Sequence, residues 1–216
     1  MSSKQLLNKP VLISLYGFPG SGKTHLARQL CTTLHAAHVS SDRIRNELFE
    51  KPRYDKTENE VVEHLMLYMA EEFLQAGVSV IYDTNATQGA QRRSLRDLAA
   101  KSHAKFLLIW LQIDHDTAFA RVMQRDRRKL DDKYARTFDR TGFDAYIGQM
   151  QNPRHNEGYV VLSGKHSFPM QRSTIAKKLY DMGLISSEHV SSQVVKPGLI
   201  NLVPGSSDDK RNITIR

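Results

Sequence analysis

Apolar runs and helix-period stripes alternate along this chain. VLISLY, Val11–Tyr16, is apolar almost without interruption, as in a strand covered on both faces of a parallel sheet. A Gly-rich turn follows, then residues 25–34, where Leu26, Leu30 and Leu34 share one helical face. A short strand at 37–40 leads to Asp42 and a helical stretch through Leu48, and residues 51–56 read as loop. Across residues 59–76, Val62, Leu65, Met66, Met69, Phe73 and Leu74 recur at helical spacing, and Gly77 stands where a C-terminal cap would. Residues 78–83 and 105–113 predict buried strands, with a helix over 88–101 between them. Asp116 is placed to cap a helix reaching about Lys129, residues 131–153 are polar and charged, 159–162 predict a fifth strand and 170–182 a last helix.

Strands separated by helices of this length imply right-handed βαβ crossovers and a parallel sheet, hence an α/β fold. The 216 residues suit one domain, expected over 1–189, with an appendage at 190–216 whose Val/Ile-rich patches could form a hairpin or a tail. Hydrophobic content of 40% and charged content of 25% exclude disordered and collagen-like classes. No apolar run approaches the ~18 residues that span a bilayer, the first residues lack a secretory signal, and Cys31 is the lone cysteine. The expectation is a cytoplasmic protein without a membrane partner. A net charge of +8 calls for an acidic partner: nucleic acid, a phosphorylated metabolite or ATP. The excess is concentrated in the second half, with eight basic against four acidic residues between Arg121 and Arg140.

Gly17-Phe18-Pro19-Gly20-Ser21-Gly22-Lys23-Thr24 fits G-x-x-x-x-G-K-[ST] between an apolar strand and a helix, where that pattern must lie. Its glycines let backbone amides curl around phosphate oxygens, Lys23 reaches the β- and γ-phosphates, and the Thr24 hydroxyl is suited to Mg²⁺. Asp83 ends an apolar strand, at the sheet edge where ligands bind, and suits a Walker-B-type carboxylate holding Mg²⁺. Asn85, Arg92 and Arg93 follow it and could reach the same cleft, although a turn-forming Asn and solvated Arg residues fit equally. Asp42 and Arg45 share a face of a starting helix and could serve as proton acceptor and substrate clamp, or as a cap and an exposed cation. Arg121 and Arg125, four apart, could supply a cis arginine finger beside a lid, or form a solvated basic face.

Taken in order, GFPGSGKT, SSDRIRNEL, VIYDTNAT and RVMQRDRR resemble the P-loop kinases of the polynucleotide-kinase-like (AAA_33-type) group. That group is related to zeta toxins, chloramphenicol phosphotransferase and the seryl-tRNA kinases. The resemblance runs from about Val11 to Leu179 and implies a three-layer P-loop NTPase sandwich: five parallel strands in the order 2-3-1-4-5, with a helical lid near 126–153. It places the general-base aspartate on Asp42, the acceptor-positioning arginine on Arg45, the Asp-Thr-Asn segment on Asp83, Thr84 and Asn85, and the lid arginine on Arg125. The adenine-holding segment falls on Ser163, Gly164 and Lys165. The implied activity is ATP- and Mg²⁺-dependent phosphoryl transfer to a hydroxyl of unidentified type, on a small molecule or a nucleic-acid 5′ end. A nucleotide-driven switch ATPase without an acceptor is the rival, under which Asp42 and Arg45 would be idle. Oligomeric state is left open.

Overall fold

Alternate residues of a strand face opposite sides of a sheet, so a strand apolar throughout must be covered twice. The computed structural model of the protein, which describes residues 7–186, shows this for β1 (Val11–Tyr16), whose six residues are all buried. Val11, Ile13 and Leu15 join a core with Leu26 and Leu30 of α1 (Lys23–Thr33) and Ile175 and Leu179 of α7 (Phe168–Asp181). Leu12 faces the other way, into a core with Val62, Met66 and Leu74 of α3 (Lys56–Gln75) and Leu95 of α4 (Gly89–Lys101). β2 (Ala36–Ser40), β3 (Ser79–Asn85), β4 (Lys105–Gln112) and β5 (Tyr159–Ser163) complete an all-parallel sheet in the order β2-β3-β1-β4-β5. The three-layer sandwich expected from the sequence is the one observed.

The β1–β3 ladder is irregular where the site lies. Ser14 pairs with Tyr82, yet the next residue, Leu15, pairs with Asn85, so Asp83 and Thr84 are skipped. Asp83 still pairs with Ser40 of β2. α2 (Ser41–Leu48) starts directly after that strand, placing Asp42 in its first turn.

Three elements differ from the sequence expectation. α3 begins at Lys56 rather than near 59, because the Asp55 side chain accepts from the Glu58 amide and caps it. α5 (His115–Met123) is capped by Asp114, not Asp116, and stops at Met123, so Arg125 lies beyond the helix. Within the polar stretch the chain forms α6 (Arg140–Gly148), capped by Asp139. Phe143 of α6 is fully buried against Ala118, Val122 and Phe119 of α5, with Phe18 of the P-loop beside it. The expected appendage at 190–216 lies outside the described residues. Among those described, no helix is long and apolar enough to cross a membrane.

Arg92 of α4 corrects another expectation. Its guanidinium is buried, pairs with both Glu157 oxygens at 2.6 and 3.0 Å, and donates to the Ala86 and Gln151 carbonyls at 2.9 and 3.0 Å. With its donors engaged this way, it ties the chain entering β5 to the end of β3 and does not line the cleft as a substrate residue. Removing one partner of a buried pair strands the other charge, at a cost of about 3–5 kcal/mol. Arg92→Leu is therefore expected to lower unfolding stability by about that amount in urea titration. Nucleotide affinity per folded molecule should be retained; normal stability with lost binding would restore the substrate role.

Candidate active site

The P-loop is a turn of unusually close backbone approach. Gly20 has φ +85°, and a Cβ there would stand 2.3 Å from the Ala118 carbonyl oxygen of α5. Gly164, after β5, packs so tightly on the loop that its Cβ would lie 2.6 Å from the Ser21 carbonyl oxygen. Gly22 precedes α1 without a side-chain cap, leaving the first amides of the helix to serve an anion. Pro19, Gly20, Gly22, Lys23 and Thr24 line a cavity of about 530 Å³. Gly17 and Ser21 do not: the Gly17 amide donates to Asn85 Oδ1 at 3.2 Å, and the Ser21 amide is spent on the Phe18 carbonyl at 3.0 Å. Those two expected ligand residues shape the turn from beneath.

Lys23 Nζ donates to the Gly17 and Phe18 carbonyls at 2.8 and 2.9 Å, folded over the loop it serves. Burial lowers its pKa to about 8; Asp83 and Asp42 oppose the shift and Arg125 adds to it. A lysine held this way gains from exchanging weak carbonyl partners for phosphate oxygens.

Asp83 is 5% exposed and bound on both oxygens. Thr24 Oγ1 donates to Oδ1 at 3.3 Å, and His38 Nε2 lies 2.9 Å from Oδ2, so the ring proton sits on Nε2. Ser41 Oγ donates to the Asp83 carbonyl at 3.4 Å. A hydroxyl and a carboxylate at the edge of the P-loop are the oxygen set that suits Mg²⁺, which takes one or two protein ligands and completes its shell with phosphate and water. Among the described residues no cluster of three or more His, Cys, Asp or Glu side chains offers a rival metal site.

Asp42 lines the same cavity. Burial, then the neighbouring Asp83 charge, push its pKa up to about 6 against the pull of Arg125, Arg45 and Lys23. Arg45, buried beside it, is held by Glu58 Oε2 at 3.1 Å and Asn59 Oδ1 at 2.6 Å, with its guanidinium 4.6 Å from the centroid of the Tyr54 ring. Burial would raise the Glu58 pKa, but hydrogen bonds from the Arg53 and Tyr54 amides and from the Arg53 and Arg45 side chains leave it lowered. Arg45 thus borders the cavity while already bound by α3. Arg136 lies 4.6 Å from the same Tyr54 ring and 4.8 Å from Phe138. Arg125 donates to the Arg136 carbonyl at 2.6 Å, and its Nε is 3.9 Å from Asp132. It lines the cavity, with its pKa lowered by burial.

Asn85 bridges two parts of the site, accepting from the P-loop through Oδ1 and donating through Nδ2 to Tyr146 Oη of α6 at 3.2 Å. Arg121 reaches the Gly164 carbonyl at 2.8 Å and lines the cavity, whereas Lys165 pairs with Asp114 at 2.6 Å and faces away from it. His38, Tyr54, Arg136 and Tyr146 were not singled out by sequence reasoning. Only His38 carried a signal: it lies on the strand predicted next to Asp83, where alternate residues reach one edge.

A Walker-type loop on the central strand of a 2-3-1-4-5 parallel sheet, facing a carboxylate at the end of the adjacent strand, defines a P-loop protein with the kinase-type three-layer fold. The AAA domain family AAA_33 matches residues 12–151, and the chain belongs to it. No curated protein matches. Among solved structures, Kti12 from Chaetomium thermophilum in complex with ADP-AlF3 superposes with a TM-score of 0.60 at 15% identity, over 79% of this chain and 97% of that one. A sugar kinase from Janibacter sp. HTCC2649 gives 0.58 at 14% identity over 82% and 95%. The APS kinase CysC of Mycobacterium tuberculosis, in complex with AMPPNP and APS, gives 0.57 at 17% identity over 81% and 97%. At these identities the likeness is one of fold.

Because His38 fixes one oxygen of Asp83, His38→Ala should loosen the carboxylate without touching the P-loop. Loss of such an outer partner weakens metal affinity about 10–100-fold. We expect the Mg²⁺ concentration that half-saturates nucleotide binding to rise accordingly, with metal-free nucleotide affinity unchanged. An unaltered Mg²⁺ titration would reduce His38 to packing.

Proposed function

We propose that the protein is an ATP- and Mg²⁺-dependent kinase that transfers the γ-phosphoryl group to an alcohol hydroxyl. The observation that carries this reading is a single cavity shared by the P-loop Lys23, the Thr24–Asp83 pair, a second carboxylate at Asp42 and an arginine at Arg125. A nucleotide-binding switch needs the first two; the second carboxylate and the arginine suit an acceptor and its transition state.

In this reading Pro19, Gly20, Gly22 and Lys23 hold the phosphates and Arg121 borders the nucleotide, whereas Gly164, expected among the nucleotide ligands, packs on Ser21 outside the cavity lining and accepts from Arg121. Thr24 and Asp83 are the residues that would hold Mg²⁺, whose contribution is to neutralise charge on the β- and γ-phosphates. Asp42 accepts the acceptor's hydroxyl proton as its oxygen bonds to the γ-phosphorus and the bond to the β-bridging oxygen breaks, releasing ADP. Arg125 and Lys23 meet the charge redistributed on the transferring group. Arg45 fixes the acceptor side of the cleft as a positioning residue, through its contacts to Glu58 and Asn59. Residues 126–153 form the lid, held to the body through Tyr146–Asn85 and the Arg136–Tyr54 stack.

Asp42→Asn keeps the shape of the side chain and removes the base. With γ-labelled ATP and a panel of RNA, DNA and small hydroxyl compounds, transfer should fall about 10²–10⁴-fold while ATP affinity is kept. Transfer within a few-fold of the unmodified protein would remove Asp42 from this role, and label released only as free phosphate by the unmodified protein would favour the ATPase. A base must be unprotonated to act, so kcat/KM should fall as pH drops through about 6, the raised pKa of Asp42. An acidic limb near the ordinary carboxylate value would contradict that assignment.

A further inference from the structure

The cavity does not end at the phosphate site. It continues beyond Asp42 between α3 and α4, where Val62, Met66, Leu67 and Leu95 make an apolar wall. Two polar groups are set in that wall. Glu63, half-buried, has no hydrogen-bond or ion-pair partner among the described residues, and the Tyr82 hydroxyl likewise makes no hydrogen bond there. The two are neighbours: after burial, the Glu63 charge is what opposes ionisation of Tyr82. Gln91 and Ser94 of α4 border the same space.

The cations are elsewhere. No basic residue of α3 or α4 lines the cavity. Arg45 is bound by Glu58 and Asn59, Arg125 by the Arg136 carbonyl, and Arg121 by that of Gly164. Phosphates are held by Arg and Lys together with hydroxyl, amide and backbone N–H donors; the wall has Gln91, Ser94 and Tyr82 as neutral donors but no cation to go with them. The wall offers a carboxylate, which repels phosphate and accepts hydrogen bonds.

We propose that the α3–α4 wall is the acceptor subsite and selects a small, non-phosphorylated hydroxyl compound with an apolar body, whose amine or second hydroxyl donates to Glu63. This rests on the kinase reading and assigns its substrate class; Glu63 is a specificity residue, remote from the transferring phosphoryl group.

The test is transfer of label from γ-labelled ATP with Mg²⁺ to a library of small hydroxyl compounds sorted as amine-bearing, neutral and phosphorylated, alongside a 5′-hydroxyl oligonucleotide. Unmodified protein, Glu63→Gln and Glu63→Lys are compared after confirming equal ATP affinity and melting temperature. The best acceptors are expected among the amine-bearing and neutral compounds. Glu63→Gln should raise their KM about tenfold or more with little change in kcat, as loss of a charged hydrogen bond does. Glu63→Lys should shift preference toward phosphorylated acceptors. Preference of the unmodified protein for phosphorylated compounds or the oligonucleotide, or acceptor kinetics indifferent to both substitutions, would overturn the assignment while leaving the kinase reading intact. Label appearing only as free phosphate with every compound would overturn the kinase reading and the subsite with it.

Discussion

Four elements converge on the Asp83 carboxyl-terminal edge, and the site depends on that convergence. β3 delivers the residue, α1 contributes Thr24, β2 contributes His38 and α2 contributes Ser41. A buried carboxylate must have its lone pairs satisfied, so each partner is held in turn by the need of the others. The skipped register between β1 and β3 is part of the same arrangement. It leaves Asp83 out of the β1 ladder while returning Asn85 to it, where the Asn85 side chain can take the Gly17 amide. The phosphate loop and the metal-type carboxylate are thereby fixed to one another through neighbouring residues of one strand.

Asp42 inherits its character from this hub. It sits next to Ser41, which donates to the Asp83 backbone, and so lies close to a second buried negative charge. Three cations oppose that repulsion without cancelling it, because burial adds a cost of its own. The result is a carboxyl group less acidic than an exposed aspartate and hence a better proton acceptor near neutral pH. Lys23 is shifted the opposite way by the same burial, so the cleft holds a carboxyl group and an amine whose pKa values are both drawn toward neutrality.

The phosphate loop, the sheet and the strand-ending Asp83 could be read from the sequence because each is encoded locally. A glycine pattern fixes the turn, an unbroken apolar run marks a doubly covered strand, and a carboxylate closing such a run falls at the ligand edge. The partners of Arg45 and Arg92 could not be read in this way. Both arginines stand at spacings that suit a cleft, yet Glu58 and Glu157 claim them from other elements, and nothing in a linear spacing reports a long-range ion pair. α6 was hidden for a related reason: it has one fully buried residue, Phe143, whose cluster takes only Ile147 from its own helix and draws the rest from elsewhere, α5, Phe138 and the P-loop Phe18 among them. His38 and Tyr54 gain their importance only once the strand order and the loop path are known.

Those pairings leave the net charge of +8 unchanged, because each arginine takes an acidic partner with it, but they change where positive charge can act. Arg92 is consumed by the core, Arg28 by Asp131 and Arg45 by Glu58, so a count of basic residues overstates what a partner would meet. In the polar stretch, the Arg136 guanidinium lies 4.6 and 4.8 Å from the Tyr54 and Phe138 ring centroids, while Arg45 makes the other cation contact to the Tyr54 ring. Two guanidinium groups on one aromatic ring would repel each other in the open; here the ring quadrupole and the nearby Asp42 offset that repulsion. Tyr54 adopts φ +59°, a backbone conformation unfavourable for a bulky residue, and is kept there by its amide donating to Glu58 and its carbonyl accepting from Asn59. The same glutamate that holds Arg45 therefore holds the tyrosine on which Arg136 rests. Of the eight basic residues between Arg121 and Arg140, only Arg125 and Arg136 are partly buried and turned to contacts of this kind; the other six stay exposed.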